Sequence, residues 1–561
     1  MIIASALVAG AFVVILLLLL TRGAPAERLA AERFVAAWAR GDFPAMHGEV
    51  TENDRRSMPV GRFAAAYRRA AATATATAYR HGKVGDPRAG VVSVPMAVTT
   101  RVFGTVRATL RLTFAGEGED KHVKWSPNLV FPGLAAGERL ARRTSLPRRA
   151  DILARDSTPL AQGPDRTSPI DDVAASIVGE LGAPPPEGQE RLRSLGYPPD
   201  ATVGTSGLER VFEERLAGTP GGELRAGRRV LASTLPTPAQ PVHSSIDPGV
   251  QRAAVAAKGE RVGGVAVVRP RTGEILALAG IAFSGLQPPG STFKIITLTG
   301  VLQAKIARRS SSFPVETKTT IEGVELENAN GESCGGSLRF SFAHSCNSVF
   351  APLGAKLGAA RLVEAAEAFG FNRDPGIPGA ATSTIPPASE IGDDLAVASS
   401  AIGQGRVQAT ALQMAWVAAT IAGRGKRPRL TLERDLPSQR TRVIADNVTR
   451  VVGRFMEAVV RDGTGTAAQI TGVRVAGKTG TAELKSTSAP TCVPSPEPTA
   501  PKCPPIPPDD PTDTDAWFAA YAPANKPRVA VGVLLVQAGV GGETAAPVAK
   551  QALLAGLDAT R

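Results

Sequence analysis

The pattern of apolar and polar positions changes several times along the 561-residue chain. It begins with an uncharged apolar run, Ile2 to Leu20, which is long enough to cross a bilayer as a helix. A cleavable signal is one alternative, since Ala24-Pro25-Ala26 has the A-x-A form, but signal cores are shorter than this run. A buried core helix is another, but the run has no polar face. We therefore favour an uncleaved membrane anchor over residues 1–21.

Residues 27–144 change from helical to strand-like periodicity. Apolar residues recur at helical spacing from Glu27 to Asp42, where a Gly-Asp pair ends the pattern. From Val91 onward, three stretches rich in β-branched residues predict strands of an antiparallel sheet: VVSVPMAVTT, RVFGTVRATLRLTF and KHVKWSPNLVFPGL. Helices followed by strands are typical of a compact α+β domain.

Residues 145–241 carry little periodicity and many Pro and Gly residues, which predicts an elongated connector with short helices. From residue 242 the pattern becomes regular again. Gly263 to Gly280 predicts a β-hairpin around the turn PRTG, helices follow Ser291, and strands return before a closing helix. Strands on both sides of a helical block predict an α/β layered domain over 242–561. The low-complexity segment Ser486 to Thr514 predicts an excursion between two strands.

Composition and charge narrow the possible partners. A hydrophobic content of 43% allows a sizeable core, and the formal charge is +13. The lysines and arginines are scattered, and no basic-aromatic patch or recognition motif accompanies them, so we predict no nucleic-acid partner. Anionic lipid or an anionic wall polymer fits the same charge balance.

The four cysteines are more consistent with disulfide bonds than with a metal site. They lack C-x-x-C spacing and have no paired histidines nearby, which argues against zinc. Outside the cytoplasm they can form disulfides. Cys492 and Cys503 flank a Pro-rich segment and are the favoured pair, while Cys334 with Cys346 is the second candidate pair.

Three short motifs in the last domain carry the candidate chemistry. They are Ser291-Thr292-Phe293-Lys294, Ser345-Cys346-Asn347 and Lys478-Thr479-Gly480-Thr481. Each is weak alone, as a second S-x-N at Ser126 shows. The three together, predicted on a helix start, a helical junction and a strand in that order, form a specific signal.

The placement of each motif has a physical interpretation. The preceding PPG lets a helix begin at Ser291, where unpaired N–H groups favour negative charge. Lys294 lies one turn on and, if desolvated, can act as the base that a serine nucleophile needs. A capped helix with an exposed lysine is the alternative for this motif alone.

The other two motifs supply groups for a proton relay and for substrate binding along a strand. Ser345 and Asn347 supply a hydroxyl and an amide, although a helix-terminus hydrogen bond explains such a pair equally well. Strand alternation places Lys478 and Gly480 on one face, where the lysine can meet a carboxylate and glycine lets a substrate backbone approach. The N–H of Thr481 can join the serine N–H as an oxyanion hole. A solvent-facing strand lysine is the alternative here.

The three motifs resemble those of the penicillin-binding and serine β-lactamase superfamily. SSIDPGVQRAA, PPGSTFK, SCNSVF, AIGQGRVQATALQMA, AGKTGTAE and AWFAAYAP make 242–561 similar to class B penicillin-binding proteins. GTSGLERVFEERLAGTPGG resembles that family's pedestal, over 145–241, although RADILARDSTPLA departs from its usual motif. Residues 27–144 resemble the nuclear transport factor 2-like extension of some members, including certain resistance-conferring enzymes. Such an architecture does not by itself imply resistance.

The resemblance implies a multidomain α+β protein and a peptidoglycan D,D-transpeptidase. The penultimate D-Ala of a stem peptide would acylate Ser291, with Lys294 as the base and Ser345 relaying the proton. Lys478, Thr479 and Thr481 would hold the substrate carboxylate, and Asn347 and Gly480 would contact the substrate. β-Lactams would be trapped on the serine, and neither a metal nor an organic cofactor is required.

The anchor and the wall substrate together place the catalytic domain outside the cytoplasmic membrane of a bacterium, and the family suggests a membrane glycosyltransferase as a partner. A D,D-carboxypeptidase, which uses water as the acceptor, is the main alternative function. A non-catalytic penicillin sensor or scaffold would keep the fold, but the intact motifs argue against it. A class A β-lactamase would need an E-x-x-L-N signature between Asn347 and Lys478, and none is there.

Overall fold

The computed structural model describes residues 24–483 and 514–561. The helices, in chain order, are α1 Ala26–Arg40, α2 Phe43–Gly48, α3 Glu52–Ser57, α4 Val60–Ala74, α5 Asp171–Ala175, α6 Pro186–Leu195, α7 Gly207–Val211, α8 Glu213–Leu216, α9 Pro248–Lys258, α10 Lys294–Gln303, α11 Leu338–Ala343, α12 Asn347–Leu357, α13 Ala359–Phe369, α14 Ala388–Ile391, α15 Asp394–Ala401, α16 Ala411–Ala422, α17 Asp446–Asp462 and α18 Ala545–Ala559.

The strands are β1 Ala76–His81, β2 Val91–Thr100, β3 Thr105–Ala115, β4 His122–Val123, β5 Leu140–Ser145, β6 Ile152–Leu153, β7 Pro159–Ala161, β8 Leu181–Gly182, β9 Val203–Gly204, β10 Gly221–Ala226, β11 Arg229–Thr234, β12 Val242–His243, β13 Gly263–Val268, β14 Ile275–Gly280, β15 Ser312–Glu316, β16 Lys318–Ile321, β17 Val324–Glu327, β18 Cys334–Ser337, β19 Lys426–Pro428, β20 Arg440–Arg442, β21 Ala476–Glu483, β22 Thr514–Ala522 and β23 Val529–Leu535. Apart from β8 and β9, which cross a boundary, each strand belongs to one of two compact units.

The first unit contains the described residues up to Ala150 together with Gly182–Val203 and Glu214–Gln240. Its main sheet has the order β1-β2-β3-β4 and is antiparallel throughout. Side chains along β2 and β3 alternate between a buried and an exposed face, as the sequence pattern predicts. The buried face packs against α1 and α4, and its aromatic core includes Trp38, whose ring lies 5.0 Å from that of Tyr67.

Two expectations for this unit need correction. The third predicted strand is a strand only at His122–Val123 and continues as a 3₁₀ helix over Pro127–Val130, because proline cannot donate to a ladder. The connector contains the expected short helices but also the strands β10 and β11, which form a second sheet with β5 in the order β11-β10-β5.

The second unit contains Asp151–Leu181, Gly204–Glu213 and Pro241–Arg561. Its main sheet is antiparallel, with the order β14-β13-β23-β22-β21. Helices α9 and α18 contribute to the apolar core on one face, and α16 packs on the sheet as well. A Cβ on Gly532 of β23 would lie 2.0 Å from the carbonyl oxygen of Ala411, so glycine allows α16 to approach closely.

Several sequence predictions for this unit are confirmed. β13 and β14 form the expected hairpin, and α18 closes the chain. β21 ends at Glu483 and pairs there with Thr514, where β22 begins, so the Pro-rich segment joins two adjacent strands. That segment and the predicted anchor over 1–21 both lie outside the described residues. Over the described ranges, no helix has the length and apolarity needed to cross a bilayer.

Candidate active site

The first motif lies where a short 3₁₀ turn, Gly290–Phe293, leads into α10. Gly290 has a positive φ of 51°. A Cβ there would lie 2.7 Å from the carbonyl oxygen of Thr481, so glycine lets this turn pack directly against β21. Ser291 is half-buried in the turn, and Lys294 begins α10 with its side chain completely buried.

The second motif occupies the junction between α11 and α12. Ser345 has a φ of +62°, which is unusual for a serine, and Asn347 begins α12. Cys346 forms a disulfide with Cys334 at the start of β18, so the second of the two predicted pairings is confirmed. Cys492 and Cys503 lie outside the described residues.

The third motif lies on β21, the terminal strand of the main sheet. Lys478 is completely buried, and Thr481 is half-buried. A Cβ on Gly480 would lie 2.8 Å from the carbonyl oxygen of Pro289, so a larger residue would push the strand away from the turn that carries Ser291. The three predicted placements, helix start, helical junction and strand, are therefore all found.

The Lys294 ammonium connects the first two motifs. It donates to Ser291 Oγ at 3.0 Å, to Asn347 Oδ1 at 2.6 Å and to the Ser345 carbonyl oxygen at 2.7 Å. Ser345 Oγ lies 3.3 Å from the same nitrogen. Asn347 is itself fixed, because its Nδ2 donates to the Glu327 carbonyl at the end of β17 at 2.8 Å. The lysine therefore lies within proton-transfer distance of two hydroxyl groups.

The Lys478 ammonium, on β21, reaches the same Ser345 hydroxyl. It donates to Ser345 Oγ at 2.9 Å and to the Thr479 carbonyl at 3.0 Å. Ser345 Oγ thus lies between two ammonium groups that are 184 residues apart in the chain. The arrangement connects Ser291 through two lysines and one serine to the edge strand.

Burial perturbs the protonation of both lysines. Desolvation, followed by the positive charge of Lys478, holds the pKa of Lys294 well below its ordinary value. Desolvation alone lowers the pKa of Lys478 to about 7. Aromatic rings line the site, with Phe350 5.8 Å from the first ammonium and Phe342 5.7 Å from the second. A lysine with a lowered pKa can accept a proton at neutral pH.

The remaining predicted residues lie along β21. Thr479 Oγ1 is 2.6 Å from Thr464 Oγ1, and Thr481 Oγ1 accepts from the Gly541 N–H at 3.3 Å. Sequence reasoning missed Thr464, which follows α17 in a stretch that matches no motif. In the described part of the chain, no cluster of His, Cys, Asp and Glu side chains has the arrangement to hold a metal ion.

Three family models match the chain. The penicillin-binding protein transpeptidase domain matches residues 263–554, the penicillin-binding protein dimerisation domain matches 149–230, and the NTF2-like N-terminal transpeptidase domain matches 25–138. The transpeptidase model includes all three motifs.

Curated relatives and solved structures agree with these models. The peptidoglycan D,D-transpeptidase PbpA of Mycolicibacterium smegmatis is 33% identical over 434 residues, which is 65% of this chain and 81% of the relative. Peptidoglycan D,D-transpeptidase FtsI of Escherichia coli K12 is 28% identical over 65% of each chain. The ceftriaxone acyl-enzyme of penicillin-binding protein A from Mycobacterium tuberculosis aligns with a TM-score of 0.56 and 26% identity, over 73% of this chain and 98% of that one. The chain therefore belongs to the class B penicillin-binding proteins, with an NTF2-like domain and a dimerisation domain before the transpeptidase domain.

Proposed function

We propose that this chain is a peptidoglycan D,D-transpeptidase whose nucleophile is Ser291. The observation that carries this proposal is the single hydrogen-bonded chain from Ser291 Oγ through Lys294 and Ser345 to Lys478. A lysine with a purely structural role gains nothing from being buried without a carboxylate partner. A catalytic base does gain from such burial, because desolvation favours the neutral amine.

The acylation step follows from this chain of contacts. Lys294 accepts the hydroxyl proton as Ser291 Oγ attacks the carbonyl carbon of the penultimate D-Ala. The tetrahedral intermediate then collapses, the peptide C–N bond breaks, and the terminal D-Ala leaves as an amine. Ser345 passes the proton to that leaving nitrogen, because its hydroxyl faces both lysines.

The deacylation step uses the same groups in reverse. An amine from a neighbouring stem attacks the acyl-enzyme, loses its proton through Ser345 or Lys294, and forms the cross-linking peptide bond. The Ser291 oxygen recovers the proton as it leaves. No net proton is consumed in the cycle, so one chain of hydroxyl and amine groups suffices for both half-reactions.

The edge of β21 is the proposed substrate-binding surface. A terminal strand can bind a peptide in extended conformation along its free edge. Lys478, Thr479 and Thr481 hold the terminal carboxylate, and Asn347 and Gly480 contact the peptide backbone. The N–H groups of the serine and of Thr481 stabilise the oxyanion; losing such a donor costs about 10²–10³ in rate.

Labelling with a fluorescent penicillin tests the site. The full chain should be labelled covalently, because acyl-enzymes of the related protein A form with β-lactams. Ser291→Ala should abolish labelling, and Ser284→Ala, which removes an exposed serine from the same region, should leave it intact. Labelling that persists in Ser291→Ala would reject the assignment of the nucleophile.

A second assay separates cross-linking from trimming. The enzyme is supplied with a pentapeptide donor and an amine acceptor, and products are analysed by mass spectrometry. We expect a cross-linked dimer. Release of D-Ala without dimer under every acceptor would favour the D,D-carboxypeptidase instead.

The topology completes the proposal. Residues 1–21 anchor the chain in the cytoplasmic membrane, and 27–144, 145–241 and 242–561 are the extracytoplasmic domains. The wall location brings the enzyme beside a membrane glycosyltransferase, which supplies the glycan strands that carry the stems. Protease protection in spheroplasts checks this orientation: degradation of the transpeptidase domain by external protease supports it, and protection contradicts it.

A further inference from the structure

A cavity in the transpeptidase-containing unit is lined mainly by cations. Its volume is about 360 Å³, and we call it the ribbon pocket; its lining residues are Gly423, Arg424, Lys426, Arg440, Arg442 and Asp446. None of them belongs to the three motifs or contacts their side chains. The pocket therefore has no role in the acyl-transfer chemistry described above.

The pocket is formed by a two-stranded ribbon that places like charges together. β19 and β20 pair in antiparallel fashion, and Lys426 lies directly opposite Arg442. Arg440 is two residues away on the same strand and thus on the same face. Like charges directly opposite each other destabilise a sheet, and a short ribbon has little else to offset this.

The one carboxylate in the lining is already engaged. Arg424 donates to both oxygens of Asp446, through Nε at 2.6 Å and through Nη2 at 2.8 Å. These bonds lower the pKa of that carboxyl group, so it stays ionised. Arg450 adds a further ion pair at 3.4 Å. The acid therefore pairs directly with Arg424 and Arg450, and it acts on Arg442 only through a weaker coulombic attraction.

Within the described ranges, no ion pair joins Lys426, Arg440 or Arg442 to a carboxylate. Arg442 is nevertheless held in place, since its Nη1 donates to the carbonyls of Arg424 at 3.1 Å and Ile444 at 3.4 Å. A guanidinium fixed in this way by one nitrogen can offer its others to a ligand at little entropic cost.

We propose that the ribbon pocket binds a phosphate or pyrophosphate group. Guanidinium groups match the geometry of phosphate oxygens, and one polyanion can bridge cations that repel each other across the ribbon. A single carboxylate offers two oxygens on one side and neutralises only one of the three cations. The cavity is large enough for a diphosphate with part of the group attached to it.

Calorimetric titration of the full chain with inorganic pyrophosphate tests the proposal. We expect saturable binding at one site, with affinity that falls as ionic strength rises. Arg440→Gln and Arg442→Gln should each weaken binding about tenfold, since each removes a charge-assisted hydrogen bond. Arg107→Gln removes an exposed arginine from β3 and serves as the control, which should bind like the wild type.

A variant that should bind pyrophosphate more tightly tests whether weaker binding in the other variants comes only from unfolding. Asp446→Asn removes the only anion in the lining, so pyrophosphate should bind more tightly. Fluorescent-penicillin labelling should be retained in every variant and reports that the transpeptidase fold is intact. Absence of binding, equal weakening in Arg107→Gln, or weaker or unchanged binding in Asp446→Asn would each overturn the proposal.

The source of the phosphate is distinguished by a second titrant. Dihexanoyl phosphatidylglycerol presents a lipid headgroup below its micellar concentration. If it binds in the same pocket more tightly than pyrophosphate, the site takes a membrane headgroup. If pyrophosphate binds more tightly, the site takes a soluble or polymer-borne phosphate. Arg442→Gln should weaken whichever ligand binds, and its failure to do so would place that ligand elsewhere.

Discussion

Replacing Lys478 by methionine tests the electrostatic coupling between the two buried lysines. Methionine keeps most of the side-chain volume and removes the charge. In the wild type, that charge is the second cause, after burial, of the lowered pKa of Lys294. If Lys294 is the base, it works in its neutral form, so acylation falls at low pH as this amine takes up a proton. The variant should move that acidic limb.

The structure sets the size of the effect. Both ammonium nitrogens contact Ser345 Oγ, at 3.3 and 2.9 Å, so their separation cannot exceed the two distances combined. Two unit charges about 6 Å apart repel by about 3 kcal/mol at an effective dielectric constant of about 20, and a shorter separation gives a larger repulsion. Because the pKa of Lys478 is about 7, the repulsion acts fully only below that pH.

The direction follows from the sign of the interaction. A neighbouring positive charge favours the neutral amine, so its removal raises the pKa of Lys294 toward the ordinary value. The acidic limb of the acylation rate should therefore move to higher pH. Burial still disfavours the ammonium in the variant, so the pKa should not return fully.

The assay is the rate of acylation by a fluorescent penicillin as a function of pH. Lys478→Met should also lower the rate at every pH, because the same ammonium is proposed to hold the carboxylate. Loss of carboxylate binding lowers the acylation rate by the same factor at every pH and does not move the midpoint of the acidic limb. The midpoint therefore reports the electrostatic effect alone. Lys526→Met, at an exposed position, is the matched control. A midpoint that stays unchanged or moves to lower pH would refute the coupling.

Three further changes probe the packing around the site. Gly480→Ala should slow acylation and destabilise the domain by about 1–3 kcal/mol, measured by denaturant unfolding, because its Cβ would lie 2.8 Å from the Pro289 carbonyl. Thr464→Val should raise the KM for a peptide donor more than it lowers kcat, because Thr479 loses its hydroxyl partner. Thr464→Ser should restore the KM. A KM equal to wild type in the valine variant would contradict this prediction. Cys334→Ala should cost about 3 kcal/mol of stability by opening a short loop, and a reductant should then lower Tm by less than it does in the wild type.

The local parts of the site could be predicted from sequence because each motif contains its own structural signal. The PPG before Ser291 begins a helix, and Lys478 lies in a stretch that the sequence predicts as a strand. The apolar hairpin from Gly263 to Gly280 was equally readable, since both strands and the turn lie within one short stretch. These features depend on neighbours in the chain.

The parts that could not be predicted depend on contacts between distant segments. Thr464 meets Thr479 only because α17 ends beside β21, and a lone threonine has no pattern that would single it out. The pairing of Cys334 with Cys346 depends on the junction that brings Cys346 to β18. The strand predicted around His122 is shorter than the sequence suggests. Prolines follow it, and their effect depends on where the sheet ends.

The choice between lysine and arginine distinguishes the two cationic sites of this chain. A buried lysine can lose its proton, and desolvation lowers the pKa of both Lys294 and Lys478. An arginine cannot do so, because its guanidinium remains protonated at any accessible pH. Arg440 and Arg442 therefore keep their charge beside each other, and a bound anion would reduce their repulsion. The active site is thus suited to moving protons, whereas the ribbon pocket is suited to holding an anion.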